Sequence, residues 1–345
     1  MLYAGKIVTL CFKLKKLTRP PKNQYMAKFS HYYLQYELDD LFAQEYKAKR
    51  QEIFGEMLEN DKSISFILGE GENRKHYKHT VKHLGLNHNI IVMRIANDSK
   101  KEVIQDFKKK SVRHEPPCYV IIDNRDHCRR VAIQRNREAW ASTGSVAHVM
   151  KEVLDQAMRR NCHIGISMHP QFYPKDFYKA WRLHQHHTSG LRFSLTDREV
   201  PEDFYSELQT DDSIMGFALK VNEESLRKKY KTELVLSPAE DNTPLLVDQD
   251  SVYIRNLVRF HAMTGSPIVI ETSDGARFEC FVGNEEESAK IKTSEMEKGV
   301  LDTLFGEAKD DVALAEEKVM EFVNGMKYVV DDNEQHENGA EEDAA

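Results

Sequence analysis

The sequence predicts an α/β protein of α+β type with two domains: a mixed-sheet main domain and an inserted ferredoxin-like small domain. Three observations predict it. Strand-like runs recur, some alternating apolar with polar residues and some continuously apolar, as at 29–37 and 118–122. Helical patterns lie between them. The clearest follows Ser145, with Val146, Val149, Met150, Val153, Leu154, Ala157 and Met158 at helical spacing. Third, residues 161–236 run strand, helix, strand, strand, helix, strand, which is the ferredoxin-like order.

Taken in order, residues 1–25 form an N-terminal extension. Its apolar run at 7–12 is followed by basic residues and no small-residue cleavage site, so it makes a poor signal peptide. A cleaner segment begins at Met26, so either Met26 is the natural start or residues 1–25 are a loosely held extension. The main domain combines 26–160 with 237–330. It opens on a strand at 29–37 and a helix capped by Asp39 or Asp40 that runs to about Leu58. A strand at 63–68 precedes a polar, basic linker. A strand at 89–95 follows, then a helix from Asp98 to about Lys110. Strands at 118–122 and 129–133 flank the polar turn DNRDH as a hairpin. Ser145 caps the long helix.

The small domain, 161–236, has strands at 162–168, 190–195, 213–221 and 232–236, with helices at 175–183 and 223–230. A helix at 251–263 returns the chain to the main domain. A hairpin turning on Asp274-Gly275 follows, then a last helix at 311–326. Residues 331–345 hold seven acids and no Lys or Arg, a disordered acidic tail.

Charge is unevenly distributed. The chain of 345 residues carries 49 Lys+Arg and 56 Asp+Glu, a net −7. Residues 1–200 hold 35 bases and 22 acids, or +13; residues 201–345 hold 14 and 34, or −20. Starting at Met26 lowers the first figure to +7. Such asymmetry points to a polyanion partner or an acidic tail. The two halves pairing with each other explains the same pattern, and both readings stay open.

The bases cluster. Lys108, Lys109 and Lys110 end one predicted helix, and Arg159 and Arg160 end the long one. Arg125, Arg129, Arg130, Arg135 and Arg137 crowd the hairpin and its exit. Together these ten residues are the candidate DNA-binding set, placed to neutralise phosphates without reading bases. Cations at helix C-termini also favour the helix dipole, which accounts for Lys110 and Arg160 but not for the hairpin arginines.

Other chemistries find less support. Cys11, Cys118, Cys128, Cys162 and Cys280 are odd in number and widely spaced, which fits reduced thiols in a cytoplasmic protein. Cys162, His163, His169, His184, His186 and His187 lack metal-site spacing, so neither metal nor other cofactor is expected. Asp123 and Glu115 have no lysine on the adjacent strand, as a metal-dependent nuclease would require. Asp126 shapes the turn. Walker A, G-x-G-x-x-G and G-x-S-x-G sequences are absent. No run approaches the roughly 18 apolar residues of a membrane span.

The order of elements resembles that of the RexA-type phage-exclusion proteins. The local echoes are F-x-x-Y-Y at Phe29 to Tyr33, ALKVNEESLRKKYK from Ala218 and SDGARFECF from Ser273. The resemblance implies a homodimer that binds double-stranded DNA with little sequence preference. It also implies antiviral defence by abortive infection, together with a membrane-protein partner. It supplies no catalytic residues. Two alternatives stand beside it: a metal-dependent nuclease effector using Asp123, and an acidic module that mimics DNA or captures a basic protein.

Overall fold

The structure is a computed structural model. It describes residues 26–326 apart from 38–42, 60–63, 70, 72–73, 86–88, 98, 106–107, 126–127, most of 196–230, 241–242, 249–250, 282–290 and 307–310. β1 (Met26–Glu37) opens the fold, followed by α1 (Ala43–Tyr46), a 3-10 turn and α2 (Arg50–Glu59). Next come β2 (Ile67–Leu68), β3 (Lys75–His76), β4 (Lys78–Leu84) and β5 (Ile90–Ala96). β6 (Ser99–Gln105), β7 (Lys108–His114), β8 (Pro117–Asp123) and β9 (Arg130–Gln134) lead to α3 (Thr143–Cys162). β10 (Gly165–Pro170), α4 (Pro174–His184), β11 (Thr188–Leu195) and β12 (Thr232–Leu236) follow. The chain closes with α5 (Val252–Thr264), β13 (Ile268–Thr272), β14 (Arg277–Cys280), β15 (Thr293–Glu297), α6 (Lys298–Leu304) and α7 (Val312–Gly325).

The main sheet runs β10-β1-β9-β8-β5-β4. β1 is twelve residues long, about twice an ordinary strand. That length lets β15 and β10 share one of its edges end to end, at 26–30 and 32–37, while β9 takes the other. One face of the sheet packs Tyr32, Leu34, Val120, Ile122 and Val131 against α2 and α3. The other packs Phe29, Val92, Tyr119 and Ile121 against α6 and α7. Being covered on both faces explains why β5 and β8 read as continuous apolar runs. A second sheet, β12-β11-β13-β14, buries Leu191, Phe193, Ile268 and Ile270 beneath α4 and α5.

The α/β class stands, and several boundaries move. The sheet is not mixed: every strand pairing among the described residues is antiparallel. The ferredoxin-like unit does not close over 161–236. β10 pairs with β1, because Ile164 and Ile166 belong to the core under α3, and β11 pairs with β13 from beyond residue 236. In the predicted strand at 213–221, Gly216, Ala218, Lys220 and Val221 are helical, as is Glu224 beyond it; the rest of 213–230 lies outside the described residues.

The predicted linker after residue 68 contains β4, which pairs with β5 along its whole length. The predicted strand at 63–68 shrinks to Ile67–Leu68, although Ile64 and Phe66 stay buried. The helix expected over 98–110 is instead the antiparallel pair β6–β7. Its β-branched Val103, Ile104 and Val112 suit extended backbone. α3 begins earlier than expected. Ser142 is its N-cap, accepting from the Ser145 backbone N–H at 3.1 Å, so Ser145 lies inside the first turn.

β15 and α6, which the sequence reading passed over, fill the gap between the last hairpin and last helix. Lys82 on β4 donates to the Leu304 carbonyl at the end of α6, where a cation is favoured. No helix among the described residues is long and apolar enough to cross a membrane. The N-terminal extension and the acidic tail lie outside the described residues.

Candidate nucleic-acid interface

The hairpin arginines divide into buried and exposed members. β8 and β9 are interior strands of the main sheet, not a surface ribbon. Arg129 is 2% exposed and Arg130 6%. Arg130 alternates with Ala132 and Gln134, which turns it to the face shared with Phe29 and Ile121. There it meets Asp123, its cross-strand partner, which is fully buried. Arg130 Nη2 donates to Asp123 Oδ2 at 3.3 Å and to Cys128 Sγ at 2.9 Å.

Arg125 grips the same carboxylate with Nε and Nη2, each at 2.8 Å, and its Nη1 donates to Asn324 on α7. Arg129 adopts φ 82° and lies over the Tyr33 ring at 5.8 Å. Asn124 completes the knot by donating to the Gln51 carbonyl at the start of α2 and accepting from Tyr36 Oη at 2.6 Å. These side chains tie the turn to helices on both faces. Arg129 and Arg130 are therefore buried structural groups rather than surface ones, and Arg125, its side chain 26% exposed, braces the same turn. Removing buried charges from water is tolerable only with such pairing.

The lysines tell the opposite story. β6 and β7 form a two-stranded sheet that pairs with no third strand among the described residues. They are the connection between β5 and β8, which lie side by side with Ala96 opposite Pro117. The connection therefore continues past one end of the main sheet as an antiparallel ribbon. Its sequence from Ser99 to His114 holds Lys100, Lys101, Lys108, Lys109, Lys110 and Arg113 against Glu102 and Asp106. Register sets Lys100 opposite Arg113, Ile104 opposite Lys109 and Gln105 opposite Lys108.

Arg135 and Arg137 sit beside the base of this ribbon. Asn136 Nδ2 donates to the Pro117 carbonyl at 2.8 Å, and Asn97 Nδ2 donates to the Ala139 carbonyl at 3.1 Å. These bonds hold the 135–140 turn against the ribbon's entry and exit. Arg135 and Arg137 are exposed, although Arg135 Nε also donates to Ser30 Oγ at 2.9 Å.

Arg159 and Arg160 are exposed too, but elsewhere. The Arg135 backbone N–H donates to the Lys28 carbonyl, whereas Arg159 pairs with Glu37 at 3.0 Å. Lys28 and Glu37 are near opposite ends of β1, which at ~3.3 Å per residue puts them about 30 Å apart. Arg159 also pairs with Asp155 at 3.0 Å. The guanidinium lies so close over Gly165 that a Cβ there would collide with it. Lys108 to Lys110, Arg135 and Arg137 thus share one end of the molecule; Arg159 and Arg160 do not.

The other candidate chemistries stay dispersed. Asp123, the acid of the nuclease alternative, is enclosed by two guanidinium groups. Asp126 lies outside the described residues. No group of three or more His, Cys, Asp or Glu placed to hold a metal ion occurs among the described residues. Cys162 donates to the Met158 carbonyl, His163 caps α3 in the left-handed region at φ 59°, and His184 stacks on Phe278. Burial pushes the Cys118 and Cys280 thiols up to about 12, so neither is a reactive thiolate. A cleft of about 440 Å³ beside the ribbon's base is lined by Glu115, Glu138 and Asp302 among others, an acidic border to the basic ribbon.

One buried group escaped the sequence analysis. His31, 2% exposed, sits on β1 where β10 gives way to β15. Its backbone bonds to both neighbours, through Gln171 N–H and the Lys292 carbonyl, and its Nε2 lies 2.7 Å from Ser294 Oγ. Burial holds the imidazole well below its ordinary range, and the charges of Lys292 and Arg130 add to the effect. Its signal was its place within the aromatic alternation of β1.

No known family model matches the sequence, and no curated protein matches it significantly.

Proposed function

We propose that this protein binds double-stranded DNA with little sequence preference, and that the ribbon of β6 and β7 is its main contact. The observation that carries the proposal is the ribbon itself: six Lys and Arg against two acids, on a strand pair that reaches past the sheet end. A two-stranded ribbon is an established way to approach a DNA groove, and lysines supply phosphate neutralisation independent of sequence. Arg135 and Arg137 extend the basic surface at the ribbon's base. The remainder of the proposal, a homodimer acting in phage exclusion beside a membrane partner, is suggested by the local echoes of RexA-type sequences at 29–33, 218–231 and 273–281.

The test is fluorescence anisotropy on a short random-sequence duplex at low salt. The wild-type chain binds. The variant K108Q/K109Q/K110Q binds more weakly on every sequence, whereas R159Q/R160Q binds as the wild type does. Absence of duplex binding at low salt, or equal binding by the triple variant, would overturn the proposal. Cleavage of plasmid only in the presence of Mg²⁺ would instead favour the nuclease alternative.

A further inference from the structure

We infer that the ribbon of β6 and β7 occupies the major groove of B-form DNA, so that the protein discriminates among duplexes by groove shape. This rests on the duplex-binding function proposed above and adds which groove, and therefore which duplex form, is recognised.

Three observations carry it. The first is dimension. Each strand of the ribbon has seven residues, about 24 Å of extended chain. Two strands ~4.8 Å apart, with their flanking side chains, fit a groove about 12 Å wide and overfill one about 6 Å wide.

The second is the placement of charge. Cations occur on both strands, with Lys100 and Lys101 on β6 and Lys108, Lys109, Lys110 and Arg113 on β7. A ribbon lying lengthwise in a groove faces a phosphate backbone on each side, so both strands meet anions. A ribbon lying along a single backbone would need cations on one strand only.

The third is a local conflict. Lys100 stands directly opposite Arg113 in the register. Like charges across a strand pair are destabilising. A two-stranded ribbon that pairs with no third strand among the described residues is itself marginal in water. Phosphates on both sides would relieve the repulsion and order the ribbon together. The base of the ribbon is already anchored by the Asn97 and Asn136 hydrogen bonds, which tie its entry and exit to the 135–140 turn.

The major groove of an A-form duplex is deep and narrow and closed to such a ribbon. The full-length protein should therefore prefer B-form DNA over double-stranded RNA of the same sequence by on the order of tenfold or more. The experiment is an anisotropy competition with four probes: plain duplex DNA, the matching RNA duplex, duplex DNA with bulky groups on pyrimidine C5, and plain DNA saturated with the minor-groove ligand netropsin. The expected result is weak binding to the RNA and to the C5-substituted DNA, with netropsin leaving affinity unchanged. Displacement by netropsin, or equal affinity for plain and C5-substituted DNA, would overturn the major-groove assignment. In those cases a weakening by K108Q/K109Q/K110Q would show that ribbon-mediated duplex binding itself survives. No binding to plain duplex would overturn both.

Discussion

Asp123 and Arg130 face each other across β8 and β9, with Arg125 closing over the same carboxylate. Arg130→Ala leaves a buried carboxylate short of one partner. It should lower stability by about 3–5 kcal/mol, the usual cost of breaking a buried pair, read as a lower urea midpoint. Where enough folded protein remains, its DNA affinity should match the wild type, because the side chain is buried. The identity of these residues was legible in the sequence but their direction was not. A polar turn followed by two arginines reads as surface until the alternation of Arg130, Ala132 and Gln134 is set against a sheet covered on both faces.

His31 gives a pH prediction at the same scale. Its folded-state pKa lies below the unfolded value of about 6.5, so the unfolded chain binds the proton more readily. Its contribution is fully present above about pH 6.5 and is lost as pH falls toward the folded pKa, at up to ~1.4 kcal/mol per pH unit. Urea melts from neutral to mildly acidic pH should show that slope. His31→Gln should flatten it, and an unchanged slope would assign the acid sensitivity to other groups.

Among the elements, those with long, regular patterns were legible. α3, α5 and α7 each carry an apolar stripe, and α7 starts at the Asp311 cap where the sequence placed it. The hairpin at Asp274-Gly275 turns as predicted, with Gly275 at φ 85°. Short, charged strands were not legible. β4 alternates Lys and His with few apolar residues because it is an edge strand of the sheet, half covered along its length. β6 and β7 have so little apolar content that neither period stands out, and the final lysines resembled a helix C-terminus. The cap of α3 was misplaced by three residues because Ser142 and Ser145 both suit the role. Ser142→Ala should lower stability by about 1 kcal/mol, measured as a shift in the urea midpoint, whereas Ser145→Ala should cost less.

At the scale of the whole molecule, the charge split was legible and its geometry was only partly so. The ten nominated bases do not make one surface. Three turn inward or brace the turn, two lie near the far end of β1, two sit where the ribbon leaves the sheet, and three lie toward its tip. The ribbon contributes a net positive charge to a chain whose total is −7, with seven of its acids in residues 331–345. That acidic segment should compete with phosphates for the ribbon. Removing it should tighten duplex binding, most visibly at low salt, when measured by anisotropy beside the full chain.

The most direct test of the central claim is the slope of log affinity against log salt concentration for duplex DNA, from about 50 to about 200 mM. If the ribbon neutralises phosphates, the wild-type slope is steep, and K108Q/K109Q/K110Q lowers its magnitude by roughly 2–3, close to 0.9 per lost contact. R159Q/R160Q leaves it unchanged. A slope that is flat in the wild type, or identical in the ribbon variant, would contradict the account.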